Sequence, residues 1–183
     1  MIRASSCAGV STLSAMMVTA LAGCASAPMD HVHDRLDTQT ATTVTVMQAP
    51  VELTADTPVA DPFAYVAPFE TDRAGERTLY LWISVPQVSG PMSEPKVSCD
   101  GRPLSLQALG ADLAQFNLSR PPYTLPAPWS GQWYFKLPQE SLQCLGTAQG
   151  ISLETQATQG TAAAEHFSAS GKALAELQAF ARR

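Results

Sequence analysis

The sequence predicts a mainly β, antiparallel fold of sandwich type that closes on a short C-terminal helix. Three observations predict it. Apolar, β-branched and aromatic residues alternate with a period of two in roughly seven short runs, the mark of half-buried or buried strands. Those runs are separated by turns drawn from 14 prolines and 11 glycines. Helical spacing shows in only two places, one of them the last dozen residues.

Thr42 to Leu53 is the first strand expected, with Val44 and Val46 alternating against Thr43 and Thr45. A Pro-rich passage follows, and then Phe63 to Glu70, where Pro68 predicts an edge or a bulge. Asp72-Arg73-Ala74-Gly75 has the composition of a hairpin loop. Arg77 to Val85 is the strongest run. Leu79, Leu81, Ile83 and Val85 share one face, and Tyr80 and Trp82 share the other, so both faces are expected to be covered. Val97 and Cys99 precede Asp100-Gly101, a two-residue hairpin signal, with Leu104 and Leu106 after it. Leu106, Leu109, Leu113 and Phe116 fit one short amphipathic helix, bent near Gly110. Gln132 to Leu137 alternates cleanly, with Trp133, Phe135 and Leu137 on one face. Leu142 and Cys144 lie on one side of the next segment. Ile151 and Leu153 begin a strand that Gln159-Gly160 turns back through Phe167. Ser170 is a candidate N-cap for the terminal helix, which carries Leu174, Leu177 and Phe180 and ends on Arg182 and Arg183.

The outline resembles immunoglobulin-like domains in broad terms. It departs from their pattern in one respect: Trp129 and Trp133 stand near Cys144 rather than a dozen residues after the first cysteine.

The N-terminus carries an address. Arg3 precedes an apolar stretch, Ala8 to Ala22, which is shorter than the roughly 20 residues a membrane-spanning helix needs. A charged start, a short apolar run and small residues at its end describe a secretory signal. Leu21-Ala22-Gly23-Cys24 matches all four positions of the lipobox and so resembles the targeting segment of bacterial lipoproteins. That resemblance implies cleavage before Cys24, a diacylglycerol thioether on its sulfur and acylation (palmitate, for example) of the new N-terminus. Several acyl chains anchor a protein stably. Ala25, where Asp would favour inner-membrane retention, implies the outer membrane, with the domain on the periplasmic face. The expected organisation is a signal peptide over 1–23, a lipidated cysteine and flexible tether over 24–41, and one β-rich domain over 42–183.

Cleavage would leave 160 of the 183 residues, enough for one domain with its own core. It removes Arg3 alone among the charged residues, leaving ten basic against 16 acidic groups, a net charge of −6. An acidic chain without a basic cluster argues against nucleic acid as a partner. Cys7 departs with the signal and Cys24 takes the lipid, so Cys99 and Cys144 remain as an expected disulfide in an oxidising compartment. A redox-active or metal-binding pair is the alternative.

Three places invite chemistry. His31 and His33, flanked by Asp30 and Asp34, are a weak candidate for zinc or copper against the plainer reading of solvated tether residues. For a hydrolase, Ser130 before Gly131 is the nearest approach to a nucleophile on a turn, and His166 is the base available outside the tether. Neither a nucleophile elbow nor a phosphate loop is present, and no catalytic residue or cofactor is assigned. The stretch Pro121 to Trp129 is stiffened by proline and carries Tyr123 and Trp129, residue types favoured at binding hot spots. It is either a docking surface for another envelope protein or a glycan, or a connection whose aromatics cap the core. The function expected from the sequence is a non-catalytic binding or assembly accessory in the envelope. The alternative is an envelope hydrolase with an unrecognised site.

Overall fold

A computed structural model describes residues 32–88, 90–159 and 164–183. The chain is mainly β and antiparallel. Its centre is a long hairpin of two 11-residue strands, β4 (Phe63–Arg73) and β5 (Glu76–Pro86), paired from Tyr65–Ser84 to Arg73–Glu76. The turn between them places Ala74 and Gly75 at φ 56° and 86°, the left-handed pair that a two-residue hairpin demands. Asp72 steadies it by accepting the Gly75 N–H at 2.9 Å. On the far side of β5 lie β9 (Ser130–Lys136) and the short β8 (Gln107–Leu109).

The other edge of β4 has two tenants. Its first half pairs with β3 (Val51–Ala55), and its second half pairs with β2 (Thr42–Met47). The single strand expected over Thr42 to Leu53 is therefore two strands, broken at Gln48-Ala49-Pro50. Beyond β3 the sheet continues through β11 (Glu165–Ser170), β10 (Gly150–Thr155), β6 (Lys96–Cys99) and the two-residue β7 (Arg102–Pro103). All 11 strands among the described residues belong to one sheet, which branches at β4 and curls. The Asp100-Gly101 hairpin forms as expected, at φ 48° and 74°.

Register assigns the faces. Opposed residues share a face, so Leu53, Val66, Leu81, Ile83, Phe135, Val97, Leu153 and Phe167 all point to the inner one. This face meets α1 (Gln139–Thr147) and the terminal helix α2 (Ala175–Ala181), which pack on each other. Leu142, Leu145, Leu174, Leu177 and Phe180 join the same core. The outer face of β4, β5 and β9 is also buried, by an aromatic group of Phe69, Tyr80, Tyr134 and Phe116. The expectation that β5 is covered on both sides holds.

The disulfide Cys99–Cys144 is present, with the Cα atoms 6.3 Å apart, and ties α1 to β6. The helix expected over Leu106 to Phe116 is replaced by β8 and a single 3-10 turn, Leu113–Phe116. Asp112 caps that turn by accepting the Ala114 N–H, and Asn117 ends it in the left-handed region, so the apolar spacing serves two short pieces. The terminal helix opens with a 3-10 turn, Gly171–Leu174, and Ser170 precedes it without a side-chain cap bond. The tether boundary also moves. β1 (Val32–Asp37) pairs with β2 along its whole length, so the sheet begins before Thr42. Residues 1–31, with the lipobox and Cys24, lie outside the described residues, as does Gly160.

Candidate functional site

The Pro-rich segment crosses the outer face and splits into a buried half and an exposed half. Two contacts fix its start to β1. Asp37 accepts the Ser119 N–H at 2.7 Å and its hydroxyl at 2.8 Å, and Arg35 Nη2 donates to the Pro121 carbonyl at 2.7 Å. The hydrogen bonds from Ser119 hold the Asp37 carboxyl below its ordinary pKa.

Tyr123 is then driven into the protein. It is only 7 % exposed, and its ring lies 5.2 Å from that of Trp82. Its hydroxyl accepts the Met47 N–H at 3.0 Å and donates to the Pro68 carbonyl at 2.6 Å. Extending the β2–β4 register by one rung would set Met47 against Pro68. The phenol thus stands in the place of a ladder bond, where β4 changes partner. In a strand, the nitrogen and carbonyl of one residue point to the same edge. The missing N–H of Pro68 therefore falls in this gap and leaves no orphan donor. Burial pushes the Tyr123 hydroxyl far above the ordinary tyrosine pKa. Of the two readings the sequence left open for this segment, Tyr123 follows the second: it is buried and caps the core.

Trp129 has the opposite fate. It is 53 % exposed, and its ring is held in place. Nε1 donates to Asp61 Oδ2 at 2.9 Å, and its carbonyl accepts the Gln87 N–H at 3.0 Å. Val88, next to Gln87, is also exposed. It lines a shallow hollow with Val59, Ala60, Asp61, Pro86 and Glu165, whose carboxyl burial raises above its usual pKa. Phe63 is a further exposed apolar side chain, and extending the β4–β5 register by two rungs would set it against Pro86. Three of the four large exposed hydrophobic residues among those described thus gather at one end of β4, β5 and β9, beside two carboxyls. Such a surface supports apolar contact and ring stacking. It was invisible in the sequence because Asp61 and Trp129 stand 68 residues apart.

The other candidates are scattered. Ser130 opens β9 and His166 lies in β11, with β3, β4 and β5 between them in the sheet order. No hydrogen bond joins the two, so the hydrolase pair is not assembled. His33 is exposed on β1, opposite Val46, and His31 lies outside the described residues. Among the described residues no group of three or more His, Cys, Asp or Glu is placed to hold a metal ion. No helix among them is long and apolar enough to cross a membrane. No protein-family model, curated protein or solved structure matches the chain.

Proposed function

We propose that this chain is an envelope lipoprotein, anchored in the outer membrane through Cys24, whose domain is a non-catalytic binding or assembly module facing the periplasm. The anchor rests on Leu21-Ala22-Gly23-Cys24 placed directly after a short apolar run. The Cys99–Cys144 disulfide fits an oxidising compartment. The observation that carries the binding role is Trp129, exposed and oriented by Asp61, with Val88 and Phe63 at the same end of the sheet. A partner is another envelope protein with a complementary apolar surface, and the contact belongs to the class in which one fixed aromatic side chain dominates the energy.

Two measurements test this. The intact mass of the protein taken from its native membrane should equal residues 24–183 plus acyl groups. A mass that retains residues 1–23 or lacks lipid removes the anchor. A photo-crosslinking residue at position 88 should capture one envelope protein, and the same residue at the equally exposed Leu36 should not. Trp129→Ala should abolish that capture while changing stability by less than about 0.5 kcal/mol, as expected for a surface site. Undiminished capture, or a large fall in stability, defeats the binding role of this surface.

A further inference from the structure

The two cysteines of the disulfide differ in burial. Cys99 is fully buried in β6. Cys144 is half-buried, and its side chain forms part of the wall of a groove of about 510 Å³ between α1 and the segment that leads from β7 to β8. Arg102, Ser105, Glu140, Gln143 and Thr147 supply the polar part of that wall. The guanidinium of Arg102 lies against the sulfur of Cys144, with Nη2 3.6 Å from Sγ.

We propose that Cys144 is a site of covalent modification, taken from this groove by low-molecular-weight thiols of negative charge through thiol–disulfide exchange. The attacking thiolate forms a bond to Cys144 Sγ. The Cys144–Cys99 bond breaks, and its electron pair leaves on Cys99 Sγ, which takes a proton from solvent. The external thiol is oxidised into the mixed disulfide and Cys99 is reduced, so the step balances without another reagent. Return attack by Cys99 restores the original bond and expels the thiol. The buried Cys99 offers no approach for the opposite course. Arg102 places a positive charge 3.6 Å from the sulfur that thiolates must reach, while Glu140 is the one acidic residue in the groove wall. The adduct cuts the covalent link between β6 and α1, leaving that helix held by Leu142, Leu145 and its packing on α2. Nothing in this chemistry depends on the lipid anchor or on the Trp129 surface.

The experiment treats the folded chain, without denaturant, with increasing concentrations of reduced glutathione. The reaction is quenched in acid, the chain is denatured, alkylation labels the free thiols, and peptide mapping locates the adduct. The expected result is glutathione on Cys144 and alkyl on Cys99, at a rate that rises with thiol concentration. Arg102→Gln should slow the reaction with glutathione by about threefold, the scale of one screened surface charge. It should not slow the reaction with cysteamine, whose attacking thiolate is a zwitterion of no net charge, and Arg102→Lys should preserve the preference. An adduct on Cys99, or a rate independent of thiol concentration, overturns the proposal, since the second means that exchange waits for unfolding. Equal slowing of both thiols by Arg102→Gln removes the part assigned to the guanidinium.

Discussion

Replacing Tyr123 by Phe removes one oxygen and leaves the ring. The packing against Trp82 at 5.2 Å survives, so the change isolates the hydroxyl. That oxygen serves two backbone groups at once, the Met47 N–H and the Pro68 carbonyl, and both residues are buried. The retained ring keeps the two groups apart, so they cannot close the rung by themselves. Each buried polar group left unpaired costs about 1–3 kcal/mol. The expected loss for Tyr123→Phe is therefore about 2–6 kcal/mol, a fall in Tm of roughly 4 to 24 °C for a domain of this size. Urea unfolding should show a lower midpoint at unchanged slope, the sign of lost stability without a change in compactness. Amide exchange at Met47 should accelerate more than at Leu81, which keeps its own strand partners. A loss under about 0.5 kcal/mol, with the Met47 amide still protected, would refute the wedge and mean that the gap is bridged by something else.

Three further changes probe other parts of the fold. The Ser84 hydroxyl is fully buried and has no hydrogen-bond partner, so Ser84→Ala should be neutral or stabilise by up to about 1 kcal/mol in urea unfolding; a clear loss would show that the hydroxyl is satisfied. Removing the disulfide as Cys99→Ala/Cys144→Ala frees a link of sequence separation 45 and should cost about 4 kcal/mol in the chain-entropy account, a figure that a measured loss under about 1 kcal/mol would contradict. Asp37 has a folded pKa below its ordinary 3.8, chiefly because of the Ser119 N–H. A lowered carboxyl pKa stabilises fully above the unfolded value and fades as pH falls through the folded one. Asp37→Asn should therefore melt lower than the parent at neutral pH and converge with it in strong acid, whereas parallel curves across the whole range would deny Asp37 this role.

How much of this was legible depends on how local the cause is. The β4–β5 turn and the Asp100-Gly101 hairpin follow from turn chemistry written in consecutive residues, and β5 and β9 follow from clean alternation. β1 escaped because His33, Asp34 and Arg35 make it as polar as a solvated tether. Its place in the sheet comes from β2 and from bonds to Ser119 and Pro121, more than eighty residues away. α1 left signals that were there to use: Pro138 at its start, Glu140 in its first turn, and Leu142 and Leu145 three apart. The buried Tyr123 and exposed Trp129 share one segment, and their residue types do not separate the two fates. The separation is made by which residue reaches the break in the sheet and which reaches Asp61.

That break has a consequence for how the chain finds a unique pairing. Continued without interruption, β2 would set Val51 against Ala64, whereas β3 sets Val51 against Val66, an offset of two residues. An even slip returns every side chain to the same face, so the apolar pattern of residues 42–53 fits both alignments and cannot choose between them. The choice falls to two residues outside that pattern. Pro68 denies a continuous ladder its donor, and Tyr123 fills the place where the next rung would close. That alignment is thus decided by one missing N–H group and one phenol, and a chain that lost both would keep its hydrophobic pattern and gain a second way to zip.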